Sequence, residues 1–406
     1  MSQNGHMEPE IPGEIGPGTA STHASDGAPQ VNEQPLSFPI WQVADYAYDS
    51  AEHYADVINE RRDGQIYGRY GGPTVERLAS VLAALEGAEA GWAFSSGMGA
   101  IHAVLMVVAG QGDRIVAART LYGGTYGLFT EGCERVGIEV TFADCTEAEK
   151  VAASIEGAKA VFVETIANPT FEVADIEGIG RAARDAGVPL IVDNTVATPA
   201  LFRPIGEGAT LVVHSTSKYV GGHHDLMGGV VLGPADPIDA TRHLAVRYGT
   251  TASAFESWLA LRGVATLALR MSKHSENAMM VAELLESSEE VKRVIYPGLP
   301  THPQHDRARK LLSGFGGMVA ADFGSQAKAW RFMDSCRIAR VGSSFGGVRT
   351  ELTHPATTSH RQFSERDREA AGITDGLVRI SVGIEDAIDL TRDFEAALEK
   401  LAEDGS

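Results

Sequence analysis

Asp193 closes the apolar run Leu190-Ile191-Val192, and Lys218 follows Leu211-Val212-Val213-His214 within Ser215-Thr216-Ser217-Lys218-Tyr219-Val220-Gly221-Gly222. Both runs have the length of a buried strand. In an open α/β sheet, ligands gather beyond the carboxyl ends of the strands, which places this acid and this amine at one site. A desolvated amine forms a Schiff base, and a carboxylate beside a pyridine nitrogen keeps that nitrogen protonated. Together they are the minimum parts for holding pyridoxal phosphate as an electron sink. Ser215 and Ser217 offer hydroxyls two residues apart to a phosphate, while Gly221 and Gly222 keep the loop thin. Phe94-Ser95-Ser96-Gly97-Met98-Gly99 reads as a strand end that opens a helix, whose bare N–H groups also suit a phosphate. Ala100, Ile101 and His102 then break the G-x-G-x-x-G pattern, which disfavours a nicotinamide dinucleotide.

These residues need a sheet to carry them, and the pattern supplies one. Segments 91–94, 114–118, 139–142, 160–164, 189–193 and 210–214 read as strands. Helical segments near 123–136, 146–156 and 175–186 separate several of them, and Thr74–Ala84 has helical spacing with Thr74 as a plausible N-cap. Strands alternating with helices imply a parallel sheet with right-handed crossovers. One long helix is expected over about 255–287. Beyond it, strands at 318–323 and 377–382 and a helix at 386–402 suggest a smaller α+β unit.

The totals exclude several function classes. A length of 406 residues implies two domains plus extras. A formal charge of −20 argues against nucleic acid or an anionic membrane as partner. No apolar run is long enough for a membrane helix. Cys133, Cys145 and Cys336 are odd in number and lack zinc-type spacing, so they read as reduced thiols of a cytoplasmic protein. His223-His224-Asp225 and His302-x-x-His305 lack supporting Cys or Glu ligands and read as loop histidines; no metal is expected. The first 30 residues, rich in Gly, Pro, Ser and Glu, read as a disordered lead.

Further motifs follow in order: Tyr67-Gly68-Arg69-Tyr70-Gly71-Gly72-Pro73-Thr74, Leu121-Tyr122-Gly123-Gly124-Thr125-Tyr126, Glu164-Thr165-Ile166-Ala167-Asn168-Pro169, Ser344-Phe345-Gly346-Gly347-Val348, His354-Pro355-Ala356 and Leu377-Val378-Arg379-Ile380-Ser381-Val382. With the two clusters above, the chain resembles the pyridoxal-phosphate enzymes of transsulfuration: cystathionine γ-synthase, cystathionine γ-lyase and O-acetylhomoserine sulfhydrylase. The resemblance runs from about residue 37 to 400. It implies an α/β, fold type I architecture, with a mostly parallel seven-stranded sheet in a large domain and a smaller α+β C-terminal domain. The expected divisions are a lead over 1–35, an N-terminal arm over 36–70 contacting a neighbouring subunit, a cofactor domain over 71–268 and a C-terminal domain over 269–406.

The resemblance also implies roles. Lys218 would hold pyridoxal 5'-phosphate and then shuttle protons, Asp193 would pair with its ring nitrogen, and Tyr122 would stack on the ring and move a proton near the γ-carbon. Asn168 would bond the phenolic oxygen, and Thr195 belongs to the same cofactor set. Gly97, Met98, Ser215 and Ser217 would hold the phosphate. Tyr67 and Arg69 would reach a neighbouring subunit's phosphate, which implies a homo-oligomer, at least a dimer and expected to be a tetramer built as a dimer of active dimers. Arg379 would clamp the substrate carboxylate with Ser344 and Asn168 beside it; a planar guanidinium suits that task.

The implied reaction is γ-replacement on an O-acylhomoserine-type amino acid by a thiol or sulfide. The alternative is γ-elimination from cystathionine or methionine to 2-oxobutanoate and ammonia. Gly124 stands where methionine γ-lyases typically carry Cys, and Arg349 stands where many γ-synthases and γ-lyases carry Glu. Gly72 replaces the Asn that commonly precedes Pro-Thr. By letters Gly342-Ser343-Ser344-Phe345-Gly346 is a G-x-S-x-G, yet no helix pattern follows it as a hydrolase nucleophile elbow requires.

Overall fold

The structure, a computed structural model, describes residues 16–23, 35–361, 366, 368 and 371–403. Seven strands form the larger sheet: β1 (Ala90–Phe94), β2 (Arg114–Ala118), β3 (Glu139–Ala143), β4 (Val161–Glu164), β5 (Leu190–Asp193), β6 (Leu211–His214) and β7 (Gly229–Gly233). Their spatial order is β1-β7-β6-β5-β4-β2-β3. β2 to β6 pair in parallel, and β7 runs antiparallel to both neighbours. Every residue of β4, β6 and β7 is buried, as unbroken apolar runs require when helices cover both faces.

Five strands form the smaller sheet: β8 (Arg293–Ile295), β9 (Met318–Asp322), β10 (Arg340–Val341), β11 (Glu351–Thr353) and β12 (Leu377–Ser381). Their order is β10-β11-β12-β9-β8, antiparallel except for β10 beside β11. Its apolar side packs against helices Leu267–Glu286, Gln326–Ser335 and Ala387–Glu403 around Phe323, Phe332 and Phe394.

Several local features depart from the expected pattern. Helix Pro73–Glu86 begins with Pro at its first turn and Gly72 at the N-cap, and the Thr74 hydroxyl instead accepts from Trp41 N and donates to Pro39 O. The long helical stretch is two helices, Ala254–Val264 and Leu267–Glu286. A short helix, Pro17–Thr22, lies within the stretch read as a disordered lead, with Ser21 buried. The rest of that stretch before residue 35 falls outside the described residues. Among the described residues no helix is long and apolar enough to cross a membrane.

Candidate active site

Parallel strands deliver their last residues to one edge, and there β4 ends in Glu164 and β5 in Asp193, paired side by side. The turn after β6 carries Ser215, Ser217 and Lys218 to the same edge, and helix Gly97–Val108 starts there after β1. A cavity of about 550 Å³ opens at this edge, lined among others by Gly97, Met98, Tyr122, Asn168, Asp193, Thr195, Ser215, Ser217, Lys218, Ser344 and Arg379. Eleven of the thirteen residues singled out from the sequence therefore meet in one place.

Tyr67 and Arg69 do not line this cavity. Tyr67 is exposed, bridged to Asp45, and Arg69 donates from Nη1 to Val246 O at 2.7 Å. Arg349 is exposed and also absent from the lining. A second cavity of about 510 Å³, beside β8, holds none of the expected residues.

The floor is acidic. Asp193 Oδ1 accepts from Thr195 N at 2.9 Å, and Glu164 accepts from Tyr122 N at 2.7 Å and Asn168 N at 3.1 Å. Burial pushes both carboxyls above their ordinary range, and the Asp193 charge adds to the push on Glu164. Neither has a lysine or arginine among the described groups acting on it. Beneath them, Glu86 Oε1 lies 2.6 Å from His214 Nε2 and receives Asn194 Nδ2 at 2.8 Å; all three side chains are buried.

The opposite wall is positive. Lys218 Nζ donates to Ser344 Oγ at 2.8 Å and sits 5.0 Å from the Phe345 ring. Burial, then the Arg379 charge, lowers its pKa, while Glu351 opposes the shift. Arg379, from the middle of β12, is buried and donates to Asn168 Oδ1, Ser344 O and Thr353 Oγ1 at 3.2, 2.7 and 2.9 Å. Its Nε is buried with no partner in the structure. A buried guanidinium held only by neutral acceptors retains its full charge for a ligand.

Two glycines make the close approaches possible. A Cβ on Gly97 would stand 2.8 Å from Ser215 Cβ, so only glycine lets the helix start touch the lysine turn. Gly346 has φ of 80° and abuts Tyr219 N, which fixes the Ser344 loop against Lys218.

These residues fit pyridoxal phosphate. The floor carboxyls are buried without a lysine or arginine partner, so a cationic ring nitrogen beside Asp193 would favour its charged form, the amine is desolvated, and the Ser96-capped helix start lies beside two serines. The Ser217 hydroxyl also engages Gly228, accepting from its N at 2.9 Å. Ser344 faces a lysine and no histidine, in a segment without a following helix, so the hydrolase elbow is not formed. Among the described residues no group of three or more His, Cys, Asp or Glu is placed to hold a metal.

Comparison with known proteins decides the family. The model of the Cys/Met metabolism PLP-dependent enzymes matches residues 18–399. The chain belongs to this family. It is 38% identical over 391 residues to an L-methionine gamma-lyase of Fusobacterium nucleatum, covering 95% of this chain and 98% of that protein. It is 41% identical over 364 residues to an O-succinylhomoserine sulfhydrylase of Pseudomonas aeruginosa, covering 89% and 90%. A solved cystathionine gamma synthase of Xanthomonas oryzae superposes with a TM-score of 0.91 at 35% identity, covering 96% of this chain and 100% of that one. As a Cys/Met metabolism enzyme the protein uses pyridoxal phosphate, and its α/β architecture of two sheets is the expected one.

Sequence reasoning missed Glu164 as a site residue, quoting it only within a motif. The signal was available: like Asp193, it is an acid ending a short apolar run. Phe345, Thr353, His224 and Met227 also line the cavity and carried no local signal.

Proposed function

We propose that this enzyme catalyses γ-replacement on an O-acylhomoserine-type amino acid, with a thiol or sulfide as nucleophile. The observation that carries this reading is the absence of a thiol from the cavity. Gly124 lies under the Tyr122 ring, where a Cβ would meet Cε1 at 2.6 Å, and Cys133, Cys145 and Cys336 are all buried outside the lining. The site thus lacks the cysteine typical of methionine γ-lyases. The sulfhydrylase relative at 41% identity adds weight.

Pyridoxal phosphate, once bound, supplies an electron sink that acidifies the substrate's α- and β-carbons. In this reading Asp193 holds the ring nitrogen's proton, Asn168 bonds the phenolic oxygen, Thr195 braces the turn, and Gly97, Met98, Ser215 and Ser217 receive the phosphate. Lys218 carries the cofactor and, in its neutral form, takes the α-proton; its burial favours that form. Tyr122 stacks on the ring and donates a proton to the departing γ-substituent. Arg379 binds the substrate carboxylate beside Ser344, which hydrogen-bonds Lys218. Tyr67 and Arg69, outside their own cavity, serve a neighbouring subunit's phosphate, so the working form is a homo-oligomer, a tetramer built as a dimer of active dimers. In the same reading residues 36–70 are the arm that crosses the interface, 71–268 the cofactor domain and 269–406 the C-terminal domain.

Mass spectrometry of products tests the reading. The cofactor-loaded protein is given O-acetylhomoserine, O-succinylhomoserine, cystathionine or methionine, each with and without sulfide, cysteine or methanethiol. A thioether or homocysteine that requires both partners is expected. Rapid 2-oxobutanoate from cystathionine or methionine alone, with acylhomoserines untouched, would replace this reading by γ-elimination.

A further inference from the structure

Glu164 is the one acidic side chain in the cavity wall, besides Asp193, and the chemistry above leaves it without a task. Its geometry supplies one. Oε1 accepts from the backbone N–H of Tyr122, the residue that opens the helix Gly123–Gly127, at 2.7 Å. Oε2 accepts from the backbone N–H of Asn168, in the loop after β4, at 3.1 Å. The two oxygens of one carboxylate therefore tie together two loops at Tyr122 and Asn168, and Thr120 Oγ1, donating to Glu172 Oε2 at 2.8 Å, joins the same loops further from the cavity.

The tie continues. The Asn168 side chain accepts from Arg379 Nη1 at 3.2 Å, and Arg379 Nη2 donates to Ser344 O, whose own hydroxyl accepts from Lys218. A single path of hydrogen bonds thus runs from the Tyr122 loop through Glu164 and Asn168 to the guanidinium on the smaller sheet. Glu164 is anchored at the end of β4, paired in register with Asp193 on β5, so the sheet itself fixes its position. A buried carboxylate beside another carboxylate is costly, and burial and Asp193 both press on Glu164. A neutral amide or a serine offers one acceptor oxygen and cannot take both N–H groups on separate oxygens, as this carboxyl does. The two oxygens give each loop an acceptor of its own.

We propose that Glu164 is a positioning residue that sets the ring-facing Tyr122 loop and the carboxylate-binding Asn168–Arg379 pair in one fixed relation. The inference rests on the site assignment made above. It assigns Glu164 no contact with the reacting atoms.

Glu164→Gln tests it on the reconstituted holoenzyme. The amide keeps one acceptor oxygen and turns an NH2 group towards the other backbone N–H, so one loop is released. Cofactor affinity, read by titrating the apoenzyme and following the visible band, is expected to fall about tenfold, the weight of one buried hydrogen bond. KM for the amino-acid substrate is expected to rise by a similar factor through Asn168 and Arg379, also at temperatures well below the variant's apoenzyme melting transition. Glu164→Asp keeps the charge and shortens the reach, so it should recover part of both losses. Wild-type cofactor affinity and KM in Glu164→Gln would overturn the proposal, as would losses tracking only a lowered melting temperature. If Glu164→Gln does not fold, Glu164→Asp decides: wild-type values for both quantities would overturn it. Lys218→Ala and Arg379→Lys separate the two layers. Silence in those variants refutes the site assignment itself, whereas their effect beside a silent Glu164→Gln refutes only the coupling.

Discussion

Replacing Arg379 by lysine keeps the positive charge and removes the geometry. The guanidinium has five N–H groups. In the structure Nη2 serves Ser344 O, Thr353 Oγ1 and, at 3.3 Å, Ser343 O, while Nη1 serves Asn168 Oδ1. One N–H of Nη1 is left over for the proposed substrate carboxylate, and the buried Nε–H has no partner in the structure. A lysine ammonium has three donors at one point and cannot satisfy those four acceptors and a carboxylate together. At least one charged hydrogen bond to substrate is lost, about 2 kcal/mol. That corresponds to roughly a 30-fold fall in kcat/KM, carried mainly by KM. Steady-state kinetics with the acylhomoserine that the product test identifies provides the assay. The cofactor's visible band should be unchanged, because Lys218, Asp193 and the serines remain in place. The corresponding amine lacking the carboxylate should bind wild type and variant alike. A kcat/KM within about threefold of wild type, or an equal loss of amine binding, would refute the carboxylate clamp.

Lys218→Ala should bind the cofactor yet show neither turnover nor the band of the lysine-linked form; residual activity would overturn the assignment of that lysine. Glu86→Ala leaves buried His214 and Asn194 without their shared acceptor, a loss of about 3 kcal/mol or more visible as a lower melting temperature. An unchanged melting temperature would show that the buried pair is not stabilising. Burial holds His274, His302 and His360 down at about 4. An unfolded histidine titrates near 6.5, so between about pH 6.5 and 4 the unfolded chain binds more protons. Their contribution is complete above that window and is lost as pH falls through it, so apoenzyme stability should decline with acid. His302→Gln should flatten the decline, and identical slopes would contradict the argument.

The strands that carry the site were the most legible part of the chain. β4, β5 and β6 are unbroken apolar runs closed by a polar residue, and their ends coincide with the expected ones to within a residue. β7 was missed because Gly229-Val230-Val231-Leu232-Gly233 is short, bounded by glycine, and lies directly behind the lysine loop. β8, β10 and β11 have three residues or fewer, too few for any period to register. The break between the helices ending at Val264 and starting at Leu267 has a tertiary cause. Gly263 packs against the carbonyls of Val220 and Gly221, and Arg270 reaches back to Gly263 O, Tyr219 O and Val220 O. Tyr219, Val220 and Gly221 all lie far from the break in sequence. Among site residues, Lys218 and Asp193 announced themselves by type and place. Tyr122, Asn168 and Arg379 came from the family resemblance, because each sits in a loop or a mid-strand position that local pattern cannot interpret.

The division of labour between the two sheets explains the polarity of the cavity. The parallel sheet delivers its strand ends to one edge, and there the side chains are acidic on β4 and β5, while the turn beyond β6 adds Ser215, Ser217 and the amine of Lys218. The antiparallel sheet delivers a residue from mid-strand, Arg379, whose neighbours on β12 and β9 are apolar and cannot neutralise it. A desolvated guanidinium is tolerable there because carbonyl and hydroxyl oxygens satisfy its donors without cancelling its charge. Glu351 acts on both Arg379 and Lys218 but forms no ion pair with either at salt-bridge range. Had an aspartate replaced Thr353, the guanidinium would be paired and its attraction for a substrate carboxylate largely spent. The contacts that cross between the sheets, Lys218 to Ser344 and Arg379 to Asn168, join the two charged halves directly. The acid floor suits a cationic ring, the cationic wall suits a carboxylate, and an amino acid joined to pyridoxal phosphate presents both.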